Sequence, residues 1–378
     1  MQLIDTYRHM EPRELLDCRI KSLKELVRHY GLNLHSNEVL LLSEAFTFQY
    51  DRISIPGVGI ESLPYATASH NQTETTFFHN LNIRFHKENI AGDSRGWEQL
   101  KSLIVQGIPV LFRIDSRFLK GAEDAAPKVL KLNLYYLSTL LLVGYDEEQD
   151  QALVVLTNDD DRERVNEITI GEFQTYRCSN CAPFSPEGLC YFLQPDHGVS
   201  DINPTGIQQA LTNSIIKTAN TMLDEGELYN GELGSFIGRG VSRGIHAMKN
   251  LKDDLQKMLA QCQDNGDSAI IRLMMVFLRN NLLFGSYSAF REEYGQCIKY
   301  YARKYNIPHL DVVGSEFAEI TSLWKELFTL LSRIAHYKGD LIEHLQQVLL
   351  VWDNIIQAEH RQFSKIRSIL LTAAPCRI

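Results

Sequence analysis

Cys18 is the first of seven cysteines, 160 residues ahead of the next, Cys178, and it stands in the stretch "LLDCRIKSLKELVRHYG". A thiolate is a strong nucleophile, and one near a helix start is stabilised by unpaired N–H groups and the helix dipole. The spacing predicts a helix over about 13–30. Leu16, Ile20, Leu23, Val27 and Tyr30 recur there at three- and four-residue steps, as an apolar stripe facing a core does. At about 100° per residue Cys18 falls roughly 200° from Leu16, beside Ser22, Glu25 and His29. A cysteine kept for packing belongs on the stripe. Cys18 therefore reads as a nucleophile, the alternative being a solvent-facing thiol with no role. Arg19 and Lys21 favour its thiolate and Asp17 opposes it. Acyl chemistry also needs a proton carrier. His29 lies eleven residues on, roughly 16 Å along the axis, so the carrier must come from another element.

Before residue 200 the elements around this helix are short and β-rich: "IPVLFRID" (108–115), "STLLLVGYD" (138–146), "QALVVLTND" (151–159) and "GLCYFLQ" (188–194). Two of them flank "EEQDQ" as a hairpin, and a helix over about 95–106 ends before Gly107. The turn-rich "QPDHGVSDINPTG" reads as a linker. Helices are predicted beyond it at about 204–224, 234–262, 267–304, 314–338 and 340–372. In "EFAEITSLWKELFTLLSRI" the apolar residues Phe317, Ile320, Leu323, Trp324, Leu327, Leu331 and Ile334 keep helical spacing. The expected architecture is an α+β domain over 1–198 followed by an all-α bundle over 204–378. A net charge of −9 argues against nucleic acid as the main partner. No apolar run is long enough to span a bilayer, and the start lacks a signal-peptide pattern, so a cytoplasmic location is expected.

The residues also carry a family likeness. "DC" opening a helix that runs through "SLKELVRHYG" resembles the active-site helix of papain-like bacteriocin-processing peptidases. It is more similar still to the N-terminal domain of the butirosin biosynthesis protein H family. The likeness continues through "LLSEAFTFQY", "GIPVLFRIDSRFL", "LLLVGYD" and the spaced Phe, Arg, Pro and "YFLQP" of residues 173–195. "RLMMVFLRNNLLFGSYSAFREEYG" and "FAEITSLWKELFTLL" stand where relatives carry Gly, Phe-Leu and Trp landmarks in their helical domain. This resemblance implies a papain-like α+β fold. It implies a cysteine that accepts an acyl group from an acyl-carrier-protein thioester and passes it to an amine, aminoglycoside-like in the butirosin case. No cofactor is implied beyond the carrier's phosphopantetheine. Cys18 takes the nucleophile's place.

The sequence departs from the family pattern at the other catalytic places. Six residues before Gly144, where the family carries its His, stands Ser138, and Tyr135 and Tyr136 occupy a second common His position. Asp17 replaces the usual His before the cysteine, and "EPRELLDC" offers no oxyanion-hole Gln. Asn158 or Asp159 fills the place of the orienting Asp. The candidate site is thus Cys18, Ser138, Asn158 and Asp159. Either another histidine (His35, His70, His79 or His86) is the base, or the enzyme works without one, or the chain is a catalytically degenerate binding or scaffold protein. A thioesterase is a further reading, and a peptidase is disfavoured because expelling an amine needs a general acid. Cys178, Cys181, Cys190 and His197 have irregular spacing for zinc, so no metal is expected. Gly231, Gly234, Gly238, Gly240 and Gly244 read as a helix start or close helix packing rather than a phosphate loop. Asp115, after a buried strand, lines the cleft or makes a structural hydrogen bond.

Overall fold

The computed structural model describes residues 1–7, 18–53, 62–69, 72–115, 137–156, 165–179, 185–196, 199, 202–224, 240–266, 268–283, 289–336 and 339–373. The chain divides into two compact units, 1–39 with 73–210 and 40–72 with 211–378. The expected α+β class holds. An antiparallel sheet with helices dominates the first unit, and helices dominate the second.

In the first unit the strands are β1 (Gln2–Leu3), β4 (His86–Asn89), β5 (Val110–Asp115), β6 (Leu137–Asp146), β7 (Gln151–Leu156), β8 (Asn166–Thr169) and β9 (Leu189–Phe192). Their order is β4-β9-β5-β6-β7-β8, and β1 pairs with the far end of β6. The apolar runs of β5, β6 and β7 lack polar alternation because helices cover both faces of the sheet. Helices α1 (Cys18–His29) and α3 (Thr73–Asn80) lie on one face. Helices α4 (Ser94–Val105) and α5 (Ile170–Cys178) lie on the other, where Phe173 meets Phe112 edge-on at 5.3 Å. The expected β6–β7 hairpin forms, and the Asp146 carboxylate accepts the N–H groups of Glu148 and Gln149 in its turn. A Cβ at Gly144 would run into the Gln2 carbonyl, so the landmark glycine of "VGYD" is what lets β1 join this sheet. Helix α5 starts in a full capping box of Thr169 and Glu172.

The second unit holds the hairpin β2 (Phe46–Ile53) and β3 (Leu63–Ser69), extended by the short β10 (Ser242–Arg243). Its helices are α7 (Gly244–Asn265), α8 (Ala269–Leu283), α9 (Arg291–Lys304), α10 (Pro308–Ala335), α11 (Leu341–Ala373) and most of α6 (Pro204–Leu223). Helix α2 (Ser36–Leu42) spans the division between units. The helical part is therefore not all-α, since a three-stranded sheet packs within it. Aromatic side chains are the cause. Phe46 lies against Tyr294 and Phe363, Phe48 against Trp324 and Trp352, and Tyr65 against Phe277. Burying such rings outweighs the hairpin's sequence proximity to the first unit.

Three helix boundaries also differ from expectation. Helix α7 starts at Gly244 rather than 234, because Ser242 and Arg243 pair with β2 as a strand. The segment 267–304 forms two helices, Ala269–Leu283 and Arg291–Lys304, and Ala289 and Phe290, directly before the second, take left-handed backbone angles (φ 49° and 62°) that a continuous helix does not contain. Helix α10 starts at Pro308 rather than 314. Proline is favoured in a first helical turn, where a missing N–H costs nothing. Helices α9 and α10 touch through glycine: a Cβ on Gly314 would sit 2.6 Å from Lys299 Cγ and 2.9 Å from the Gly295 carbonyl. Gly314→Ala is expected to destabilise the protein by about 2 kcal/mol through this overpacking, read as a lower denaturant midpoint. An unchanged midpoint would show that the helices can part without cost.

Candidate active site

Cys18 is the first described residue of α1, half-buried and outside any disulfide. Its helix is located at two points. Ser22 Oγ, one turn on, lies 2.9 Å from Thr139 Oγ1 of β6. His29, at the other end, hydrogen-bonds the backbone of Gly107 just ahead of β5, while burial lowers its pKa. Helix α1 thus runs antiparallel to β5. Its first residue lies toward the edge where β5 ends at Asp115, β6 begins at Leu137 and β7 ends at Leu156.

The face of α1 beside Cys18 is not solvent-facing, as the helical wheel suggested. Ser22 and Glu25 are buried along with Ile20, Leu23, Leu26 and Val27. The polar members find partners: Ser22 meets Thr139, and Glu25 pairs with Arg28 at 2.7 Å while its carbonyl accepts the Tyr7 hydroxyl. Small and paired polar groups allow a helix to be enclosed nearly all round, which an apolar stripe alone cannot reveal.

Arg19 supplies the largest polar contact of this end. Its guanidinium grips Glu74 of α3 with two bonds, Nε to Oε1 at 2.7 Å and Nη2 to Oε2 at 2.6 Å. Arg113 of β5 reaches the same Oε2 at 3.0 Å. Glu74 is fully buried. Burial alone would raise its pKa, but the charges and hydrogen bonds of Arg19 and Arg113 outweigh this and hold it well below the usual carboxylate range.

Strand register fixes what faces α1. Arg113 and Thr139 are cross-strand partners, and both point to the α1 side. Ser138, paired with Ile114, is buried and by alternation points to the opposite face. The structure therefore does not bring Ser138 to Cys18. The next rung on the α1 side pairs Asp115 with Leu137. Asp115 is buried and accepts the Ser179 hydroxyl at 3.1 Å. Of the two readings the sequence left open for Asp115, the structural hydrogen bond forms.

Asn158, Asp159, Tyr135, Tyr136, Asp17 and His70 lie outside the described residues. The other histidines weighed as bases have places of their own. His35 sits at the start of α2, where its Nδ1 accepts the Asn37 N–H. Exposed His79 packs on Phe85, and His86 of β4 stacks on Phe192 of β9, the residue that pairs with Val110 at the far end of β5. Of the zinc alternative, Cys181 and His197 are likewise outside the described residues, and no metal-holding cluster occurs among those described.

Glu74 and Thr139 were not foreseen. The signal for the buried cluster was Arg113 itself: an arginine inside the apolar "PVLFRID" requires a buried carboxylate partner. Nothing in "TETTFFHN" marks Glu74 as that partner.

Residues 17–155 match the family model described as butirosin biosynthesis protein H, N-terminal. No curated protein matches the chain. Among solved structures, a chain described as a C39-like peptidase from Bacillus anthracis is 14% identical. That match covers 51% of this chain and 98% of the other, with a TM-score of 0.33. From the start of α1 almost to the end of β7, a span that includes Cys18, Glu74 and Arg113, the chain is similar to the butirosin biosynthesis protein H N-terminal family, the one its sequence resembles.

Proposed function

We propose that the chain is a cysteine-dependent N-acyltransferase acting in bacterial secondary metabolism. The observation that carries the reading is the place of Cys18, in the first described turn of α1 near the ends of the central strands β5 and β6, within the segment similar to the butirosin family. The Cys18 thiolate attacks the thioester carbonyl of an acyl group held on the phosphopantetheine of an acyl carrier protein, and the carrier's thiolate leaves. An amine then attacks the Cys18 thioester, the C–S bond breaks, and the amine's proton passes to solvent as the amide forms. Thioester exchange is nearly isoenergetic, and amide formation drives the second step. An alkyl thiolate is a good enough leaving group for this sequence to run without the histidine that peptide cleavage requires.

The acceptor is a small-molecule amine of the aminoglycoside-like class. Neither a nucleic acid nor a membrane is a partner in this reading, and it places the reaction in the cytoplasm. Among the described residues no helix is long and apolar enough to cross a membrane. One observation favours the non-catalytic alternative: Ser138 stands in the place of the family's histidine and faces away from α1.

Intact-mass spectrometry after mixing the protein with an acyl-carrier thioester separates the readings. The expected result is an acyl adduct that maps to Cys18, is absent in Cys18→Ala, and disappears on adding an amine as the amide appears. Absence of any adduct means a binding or scaffold role. Free acid released with no amine present means a thioesterase.

A further inference from the structure

We infer that His29 is an acid-sensitive latch: its neutral ring holds the N-terminal segment Gln2–Tyr7 against the end of α1, and protonation of the ring releases that segment while the rest of the unit stays folded. The latch works whatever the chemistry of Cys18, which the same helix carries at its other end.

The ring stands where three stretches of chain meet. Its Nδ1 lies 3.1 Å from the Thr6 hydroxyl, and its face stacks on Tyr7 at 5.8 Å with 11° between the planes. Tyr30 meets it edge-on at 4.7 Å. The ring also bonds the backbone of Gly107. The Gly107 N–H is already given to the Ile104 carbonyl, so the Gly107 carbonyl is the acceptor. A neutral imidazole serves both neighbours, since one nitrogen donates to Gly107 and Nδ1 accepts the Thr6 hydroxyl. An imidazolium donates from both nitrogens. The Thr6 hydroxyl must then turn round, and among the described residues no carboxylate bonds the ring to balance the charge. The last turn of a helix ordinarily favours a cation. Here burial outweighs that and lowers the pKa of His29.

The titratable and charged groups facing the ring are few. On α1, Arg28 opposes protonation and is itself held by Glu25. On the N-terminal segment, Tyr7 gives its hydroxyl to the Glu25 carbonyl, and Asp5 is exposed. Tyr30 gives its hydroxyl to the Leu193 carbonyl, just past β9. The turn of Gln106, Gly107 and Ile108 carries no charge. The segment itself is peripheral. Its two strand residues pair with Gly144 and Tyr145, beyond the part of β6 that pairs with β5, and Ile4 donates to the Val143 carbonyl. Its release therefore leaves the β5–β6 ladder intact.

Once the segment is open, the ring returns to water and to the ordinary histidine value of about 6.5. Protons then bind the open form more readily than the closed one. The latch is at full strength above about pH 6.5 and weakens as the pH falls below it.

Amide hydrogen exchange of the full chain at pH 7.5 and 5.5, divided by the intrinsic rate at each pH and read on N-terminal peptides by mass spectrometry, tests this. The opening constant of residues 1–7 is expected to rise at least about threefold at the lower pH. His29→Gln keeps a donor for Gly107 and an acceptor for Thr6 but does not titrate, and it is expected to abolish the rise. His79→Gln, at an exposed ring of the same unit, should retain it. A rise that is absent in the wild type, or that persists in His29→Gln, overturns the proposal. So does an equal rise in peptides from β5 and β6, which would mark acid unfolding of the whole unit. If His29→Gln fails to fold, the proton NMR titration of the His29 ring in the wild type decides. A midpoint below about 6.5 is expected, and one at or above it overturns the latch.

Discussion

Cys18→Ser is expected to fold normally and to lose acyl transfer by at least about a thousandfold, the largest change in activity from any one-atom replacement in the chain. A serine hydroxyl becomes a useful nucleophile only when a base removes its proton during attack. A thiol is already partly ionised near neutrality and needs no such help. In this chain Ser138 points by alternation to the face of the sheet away from α1, and the described histidines of the first unit sit elsewhere. A nearby charge alone cannot ionise an alcohol that titrates far above the working pH. Single-turnover acyl transfer from a carrier thioester is the measurement. A serine variant retaining a tenth of wild-type activity would mean that a strong general base stands beside residue 18 after all.

The largest loss of stability is expected at Glu359. This carboxylate is fully buried in the second unit, where Arg291 binds it through Nε at 2.7 Å and Nη2 at 2.9 Å, and Trp324 Nε1 donates to it at 2.8 Å. The Arg291 guanidinium is itself sandwiched, 4.3 Å from the Phe46 ring and 4.7 Å from that of Trp324. Four elements, β2, α9, α10 and α11, meet at this pair. Glu359→Ala strands a guanidinium with no water and no anion, which costs about 3–5 kcal/mol. Equilibrium urea unfolding should show it as a large drop in midpoint. The double replacement Arg291→Met with Glu359→Leu is expected to recover most of the loss, because apolar side chains of similar volume need no desolvation. If Glu359→Ala costs under about 1 kcal/mol, water must reach the arginine and the pair is not the anchor its burial implies.

What the sequence made legible follows from the range over which each signal acts. Helices α4, α6, α10 and α11 and the strands β5, β6 and β7 were readable because period, caps and turn residues are local. Cys18 was readable for the same reason, as a residue at a helix start. The enclosure of its helix was not, because Ser22 and Glu25 look like solvent residues until Thr139 and Arg28 are placed beside them. Glu74 was hidden by distance, lying 55 residues from Arg19 and 39 from Arg113. The direction in which Ser138 points could not be counted from Gly144, because the β6–β7 register shifts between Leu142 and Gly144 and breaks the alternation. Counting six residues back located the position in the strand but not its face.

The hairpin of β2 and β3 also sets an order in time. It is complete by residue 69, yet the aromatic partners of Phe46, Phe48 and Tyr65 lie between residues 277 and 363. At about 5–20 residues synthesised per second the last of those partners follows roughly 15 to 60 s later. Throughout that interval the nascent chain carries an unpaired strand edge and bare aromatic rings, the kind of surface that holdase chaperones bind. A fragment ending near residue 200 would keep that surface permanently, so cutting the gene at the apparent linker should give two insoluble products rather than two domains.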